Sequence, residues 1–323
     1  MASSALAVRA FKPTVDFTLL LQLLSEVEDF DQDGEDVSEA TQRAYLALPG
    51  HDPEQDRWVI EDPDRPDRLI GFGSTWARMV WNNTYERAES YLAVRPNARR
   101  RRLGTTLLNQ ITQRARELGA NHLVIHANER NLGSNAFLLK HNFEPVGSYW
   151  LLVTQLGDLI EEPRCPAGYT IRSYAAVRDR RAVVRAMESY RDQWGHYGPR
   201  PGEEPVPWLS RVDPAGVFLA FGPSGEPVGI CVAVQRANSG VPTIESAGHI
   251  NGPGVMPNHR AQGLHQFLTL TALCWHQAQG RKTISMDSWG DDESTLEIYQ
   301  RCGFIPVQHL ISYQHLIQSV TAE

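Results

Sequence analysis

The chain of 323 residues is 41% hydrophobic, 21% charged and 9% aromatic, the profile of an ordinary globular protein rather than of a disordered, collagenous or disulfide-stapled one. Its length suits about two domains, each able to bury a core of its own. A formal net charge of −7 excludes a surface built to wrap a polyanion, which needs excess clustered Lys and Arg. From the amino end, a short strand is expected over Ala7–Phe11. An amphipathic helix follows over Asp16–Glu28, with Phe17, Leu20, Leu21, Leu24 and Val27 on one face. After an acidic, helical stretch come strands near Arg57–Ile60, Leu69–Ala77 and Ala88–Val94, the first two joined by the turn Pro63–Asp67. A helix over Gly104–Leu118 presents Leu107, Leu108, Ile111, Ala115 and Leu118 on one face, with Gly119 suited to its C-terminal cap. A strand (His122–Ala127), a short helix (Asn131–His141) and a terminal strand (Phe143–Leu156) complete this series.

The series then repeats. Val94-Arg-Pro-Asn-Ala-Arg99 returns as Val255-Met-Pro-Asn-His-Arg260, an offset of 161 residues, and Asn142-Phe143-Glu-Pro-Val146 returns as Gly303-Phe304-Ile-Pro-Val307 at the same offset. The period is far too long for a solenoid unit, so each copy is expected to be a domain. The expected boundaries are 1–160 and 161–323, with a linker around Glu161–Gly168, where two prolines and a glycine interrupt any periodicity. The expected class is α/β, as an α+β mixed sheet, twice over.

The chemistry is expected where the central strand turns into the long helix: Arg99-Arg100-Arg101-Arg102-Leu103-Gly104 after Val94, and Arg260-Ala261-Gln262-Gly263-Leu264-His265 after Val255. Uncapped amides and the positive end of the helix dipole make such a turn a phosphate cradle. One such turn alone is better read as a tight connection without a ligand; its recurrence in both copies, each after a Val-x-Pro step, favours the ligand. The Arg99–Arg102 run reads as a solvated helix entrance or as a nucleic-acid patch.

These residues, with Ile298-Tyr299-Gln-Arg-Cys-Gly303-Phe304 near the end, resemble the GCN5-related N-acetyltransferase (GNAT) superfamily, whose acyl-CoA loop has the form Q/R-x-x-G-x-G/A. The resemblance covers both halves and implies tandem GNAT folds with acetyl-CoA as co-substrate. It also implies a third reading of the Arg99–Arg102 run, contact with the CoA phosphates. Each copy departs from the loop pattern at one glycine, with Arg102 in the first and His265 in the second. A side chain there either crowds the pyrophosphate or points away from it. The family commonly protonates the departing thiolate with a tyrosine of the last helix, which Tyr299 matches and Leu138 does not. Its base is often a carboxylate on the central strand, eight or six residues before the proline. Those positions hold His249 and Asn251 in the second copy and Ala88 and Ser90 in the first.

His249 has the pKa range for a base, with Glu245 as competitor, and both His249 and Tyr299 also read as structural residues. On this resemblance the C-terminal copy is expected to catalyse and the N-terminal copy to be degenerate. The segment 190–199, with Trp194 and Tyr197, is expected to line the acceptor pocket, or simply to cap the sheet. The acidic stretch Glu26–Glu35 reads as a solvated face that also attracts a cationic amine.

The function implied is transfer of acetyl from acetyl-CoA to a primary amine of a small molecule or peptide. A mycothiol-synthase-like tandem enzyme and a non-catalytic acyl-CoA-binding protein are the alternatives. No metal, nucleic acid or membrane partner is expected, and the chain is read as a monomer or homodimer. Cys165, Cys231, Cys274 and Cys302 stand apart without a C-x-x-C pair, as free thiols of a cytoplasmic protein do.

Overall fold

The computed structural model describes residues 7–47, 51–78, 87–157, 163–190, 207–210, 212–234, 247–290 and 293–317. In chain order the first elements are β1 (Val8–Ala10), α1 (Pro13–Asp31), α2 (Glu39–Leu46), β2 (Arg57–Asp62), β3 (Arg65–Arg78), β4 (Arg87–Val94), α3 (Leu103–Glu117), β5 (His122–Asn128), α4 (Leu132–Lys140) and β6 (Glu144–Gln155). The second series comprises β7 (Thr170–Ser173), α5 (Tyr174–Val177), α6 (Arg180–Met187), β8 (Val217–Phe221), β9 (Pro227–Val234), β10 (Ala247–Val255), α7 (Leu264–Ala278), β11 (Thr283–Trp289), α8 (Glu293–Arg301) and β12 (Ile305–Leu316).

The described chain forms two compact units. Unit one gathers residues 7–146 and 311–317; unit two gathers 147–234 and 247–310. The strand order is β1-β2-β3-β4-β5-β12 in unit one and β7-β8-β9-β10-β11-β6 in unit two. Each unit therefore owns five consecutive strands and borrows its sixth. In unit two, Leu151 of β6 stands opposite Asp287 of β11 and Gln155 opposite Thr283. In unit one, the Ile317 amide donates to the Asn121 carbonyl, 2.8 Å away, just before β5. The segment 147–157, which lies before the expected linker, thus packs with unit two, and 311–317 packs with unit one. The exchange leaves the alternation of each strand unchanged, because a half-buried strand shows the same period in either sheet.

In unit one, α1 lays Phe17, Leu20, Leu23, Leu24 and Val27 on the sheet against Phe11, Val59, Leu69 and Phe72. Each buried aliphatic side chain there contributes about 1.5–3 kcal/mol. Pro13 fits the first helical position, where its missing N–H costs nothing. The helix ends on Gln32 in the left-handed region (φ 52°), whose amide caps the Glu28 carbonyl, and this turn swings residues 33–36 back across the sheet. Helix α3 buries Leu103, Leu107, Leu108, Ile111 and Ala115, and α7 buries Leu264, Leu268 and Ala272 at the positions of Leu103, Leu107 and Ile111. No helix of the described residues is long and apolar enough to cross a membrane.

Candidate active site

Strands β4 and β5 run parallel and pair at Arg87↔His122, Ala88↔Leu123 and Glu89↔Val124, where the register ends. Beyond Glu89 the two strands line a cavity of about 600 Å³ with Tyr91, Leu92, Ala93 and Val94 on one strand and Ile125, His126, Ala127 and Asn128 on the other. The remaining wall comes from α1 and the loop after it (Val27, Glu28, Asp31, Asp33, Glu35), from the turn into α3 (Arg99, Arg100, Arg102, Gly104) and from α4 (Phe137, Leu138).

The turn into α3 leaves its amides uncapped. Arg100 (φ 63°) and Arg102 (φ 65°) both adopt the left-handed conformation that usually selects glycine. No side chain caps the N-terminus of α3, so its first-turn amides face outward with the helix dipole behind them. Arg102 is exposed and lines the cavity. Arg101 is exposed as well. Arg99 donates from Nε to the Val94 carbonyl at 2.9 Å and grips Asp31 through both terminal nitrogens at 2.8 and 2.5 Å. Replacement of Arg102 by glycine separates backbone from charge: Arg102→Gly is expected to raise Tm by relieving a strain of about 1 kcal/mol, while acetyl-CoA affinity falls through loss of the cation. Thermal melting and calorimetric titration measure the two effects.

Acidic groups occupy the loop after α1. The Asn131 amide donates to Asp33 Oδ2 at 2.7 Å, the Asn128 amide to the Asp33 carbonyl at 3.1 Å, and the Gly34 amide to Glu28 Oε1 at 2.7 Å. Enclosure raises Asp33 to about 6, against the opposing Asn131 hydrogen bond. Glu35 is exposed and lines the cavity. Desolvation of its carboxyl by the surrounding chain, then repulsion from Glu28 and Asp33, pushes its pKa up to about 7. The same enclosure and acidic neighbours hold the Tyr91 hydroxyl well above its ordinary value. The stretch Glu26–Glu35 is therefore in part a cavity wall rather than a solvated face.

Where the strands part, His126 Nε2 stands 3.2 Å from Glu89 Oε2 and His126 Nδ1 stands 2.7 Å from Ser312 Oγ. Glu89 was not among the sequence candidates. Counting back from Pro96 selects Ala88 and Ser90, which are both buried. In unit two, His249 pairs with Ser285 of β11, the register position that Glu89 holds opposite Val124 in unit one. Strand β10 reaches its proline one residue later because its ladder to β9 shifts between Asn251 and Gly254. Proline spacing thus finds the position in one copy and misses it in the other.

Unit two repeats the frame with different filling. Arg260 Nε donates to the Val255 carbonyl at 2.9 Å, as Arg99 does to Val94. Gly263 (φ 77°) takes the place of Arg102, and Ala261 and Gln262 are exposed on the short 3-10 turn before it. His265, in the place of Gly104, is only 3% exposed, so its imidazole turns inward, and Leu264 is fully buried beside it. Gly254 stands where Ala93 lines the cavity of unit one. The Tyr190 ring lies so close to it that an added Cβ would come within 2.5 Å, and the Tyr190 hydroxyl donates to the Gly252 carbonyl at 2.9 Å. His249 Nδ1 lies 3.0 Å from Ser285 Oγ and Nε2 lies 3.1 Å from Asn251 Oδ1 and 3.7 Å from Asp287 Oδ2. Tyr299 is fully buried in the core with Leu264, Leu268 and Phe304, while Leu138, its counterpart, lines the cavity of unit one. Trp194, Tyr197 and Glu245 lie outside the described residues.

The sequence profile of the acetyltransferase (GNAT) family matches residues 20–143 and again 183–304. Among curated proteins, the chain is similar to a mycothiol acetyltransferase of Tsukamurella paurometabola, 28% identical over 53% of this chain and 60% of that protein. It is also similar to one of Geodermatophilus obscurus, 27% identical over 67% and 70%. The chain thus aligns with less than two thirds of the Tsukamurella protein's length. Among solved structures, a GCN5-related N-acetyltransferase from Sphaerobacter thermophilus shares the fold with a TM-score of 0.75 at 20% identity, covering 97% of this chain and 96% of that one. A tandem GNAT protein from the clavulanic acid biosynthesis pathway does so at 0.64 and 14% identity, covering 97% and 98%.

Proposed function

The chain belongs to the acetyltransferase (GNAT) family, and from that premise we propose that it transfers acetyl from acetyl-CoA to the amine of a small cationic molecule, in the cavity of unit one. The observation that carries this reading is the composition of that single cavity, which joins an uncapped helix entrance with Arg99, Arg100 and Arg102 to an acidic wall, Glu28, Asp31, Asp33 and Glu35. Arg100, Arg102 and the amides of α3 hold the CoA phosphates. The acidic wall attracts the acceptor as its ammonium. Acetyl-CoA supplies an activated acyl carbon, which an amine attacks only after losing its proton.

Glu35 is the group suited to take that proton. A base works best with a pKa near the working pH, and Glu35 stands at about 7. Glu89 and His126 form a second carboxylate–imidazole pair where the strands part, the strand on which the family commonly carries its base. The curated relatives named above support a small-molecule acceptor over a peptide, and the mycothiol pathway is the second reading they favour. Val255, Arg260 and Gly263 retain the frame of the second copy, but Tyr190 and His265 occupy it, which supports the first copy as the catalytic one.

The test is thiol release from acetyl-CoA across a panel of primary amines, mono- and dicationic. Cationic amines are expected to support turnover best. Under this reading Tyr299→Phe leaves kcat unchanged; a tenfold drop with unchanged Tm transfers the chemistry to unit two.

A further inference from the structure

Ser312 belongs by sequence to the last strand of the second half, yet it packs in unit one, fully buried. Its hydroxyl lies 2.7 Å from Nδ1 of His126, whose Nε2 lies 3.2 Å from Glu89 and whose ring edge lines the cavity. A carboxylate only accepts hydrogen bonds, so the proton on the neutral imidazole sits on Nε2, directed at Glu89. Nδ1 is then a lone pair, and the Ser312 hydroxyl must donate to it. A hydroxyl also accepts, so it can satisfy the imidazolium as well by rotating.

Unit two offers a looser parallel. There the imidazole (His249) stands on the strand that carries Glu89 in unit one, its Nε2 meets Asn251 Oδ1 at 3.1 Å with Asp287 Oδ2 at 3.7 Å, and Nδ1 meets Ser285 Oγ at 3.0 Å, whose hydroxyl also reaches the Gly248 carbonyl at 3.4 Å. In each unit a serine faces Nδ1, from β12 in unit one and from β11 in unit two. From this geometry we infer that Ser312 is a positioning residue for His126: the exchanged strand of the second half fixes the imidazole of the first half's site. The inference rests on the placement of the reaction in unit one.

The experiment uses the full chain labelled with 15N, reading imidazole nitrogens by long-range correlation and assigning His126 by difference from His126→Asn. The wild type is expected to show His126 with Nε2 protonated and Nδ1 unprotonated and hydrogen-bonded. In Ser312→Ala the Nδ1 resonance moves to that of a nitrogen without a hydrogen bond, and kcat falls about tenfold while the KM for acetyl-CoA stays. A protonated Nδ1 in the wild type, an unmoved resonance in Ser312→Ala, or full kcat despite a moved resonance each overturns the inference. Absence of turnover in the wild type with every amine instead overturns the reading of the site, and the wild-type spectrum still decides whether Ser312 donates to His126.

Discussion

Glu35→Gln is expected to lower kcat by roughly 10²–10⁴, the usual contribution of a general base, while Tm at pH 8 rises. The two effects share one cause. Glu35 titrates near 7, well above an unperturbed glutamate at about 4.3, so the folded protein binds a proton that the unfolded chain releases between those values. Its contribution to stability is therefore greatest below about pH 4.3 and declines as pH rises through about 7. Above that range the wild type carries an enclosed carboxylate beside Glu28 and Asp33, and glutamine removes it. At pH 4.5 the carboxyl is already largely protonated and the Tm difference should be small. Melting curves at pH 4.5 and 8, alongside kcat from pH 5.5 to 9, measure both. The acid limb of kcat near pH 7 should vanish in the variant. A variant with unchanged kcat and an intact limb would assign the base to Glu89 and His126 instead.

Gly104→Asp is expected to weaken acetyl-CoA binding by a hundredfold or more, and Gly263→Asp to leave it nearly unchanged. A Cβ at Gly104 meets Phe137 at 3.2 Å, across the cavity that both residues line, so the new carboxylate has little room to retreat from a bound phosphate. Two like charges 4 Å apart repel by about 4 kcal/mol in a surface-like dielectric, enough for that loss after partial relaxation. At Gly263 the added atom meets nothing within 4 Å and the backbone is left-handed, a conformation that aspartate tolerates better than most residues. Calorimetric titration of the two variants reads which copy holds the ligand. Weakening at Gly263→Asp, with retained affinity at Gly104→Asp, would move the site to unit two.

The periodic elements of both copies were legible because apolar spacing and turn residues are local. Helix α3 was expected over Gly104–Leu118 and spans Leu103–Glu117. The strand-to-helix turns before α3 and α7 were legible too, since Val-x-Pro and the arginine and glycine spacing recur. Glu89 was not, because the offset of β10 against its proline depends on a strand irregularity that pairing creates and no residue type announces. The reversal of emphasis between copies has a similar origin. Tyr299 fits a motif, but its complete burial and the inward turn of His265 follow from packing across elements distant in sequence. Glu35 lies in a run whose composition announces only charge; its place on the cavity wall follows from the return of the chain after Gln32.

The borrowed sixth strands tie the two copies together as a genetic unit. Cleaving the chain near residue 160 would give two fragments, each carrying its partner's sixth strand and lacking its own. Each would expose an unpaired strand edge that invites association. Such fragments would be expected to reassemble with each other, or to dimerise by returning the wrong strand to its own sheet. Once the exchange existed, neither copy could be lost by a simple deletion. A second copy that no longer performed the chemistry would persist as the supplier of a strand, and its loops would be free to diverge while β12 was held in place.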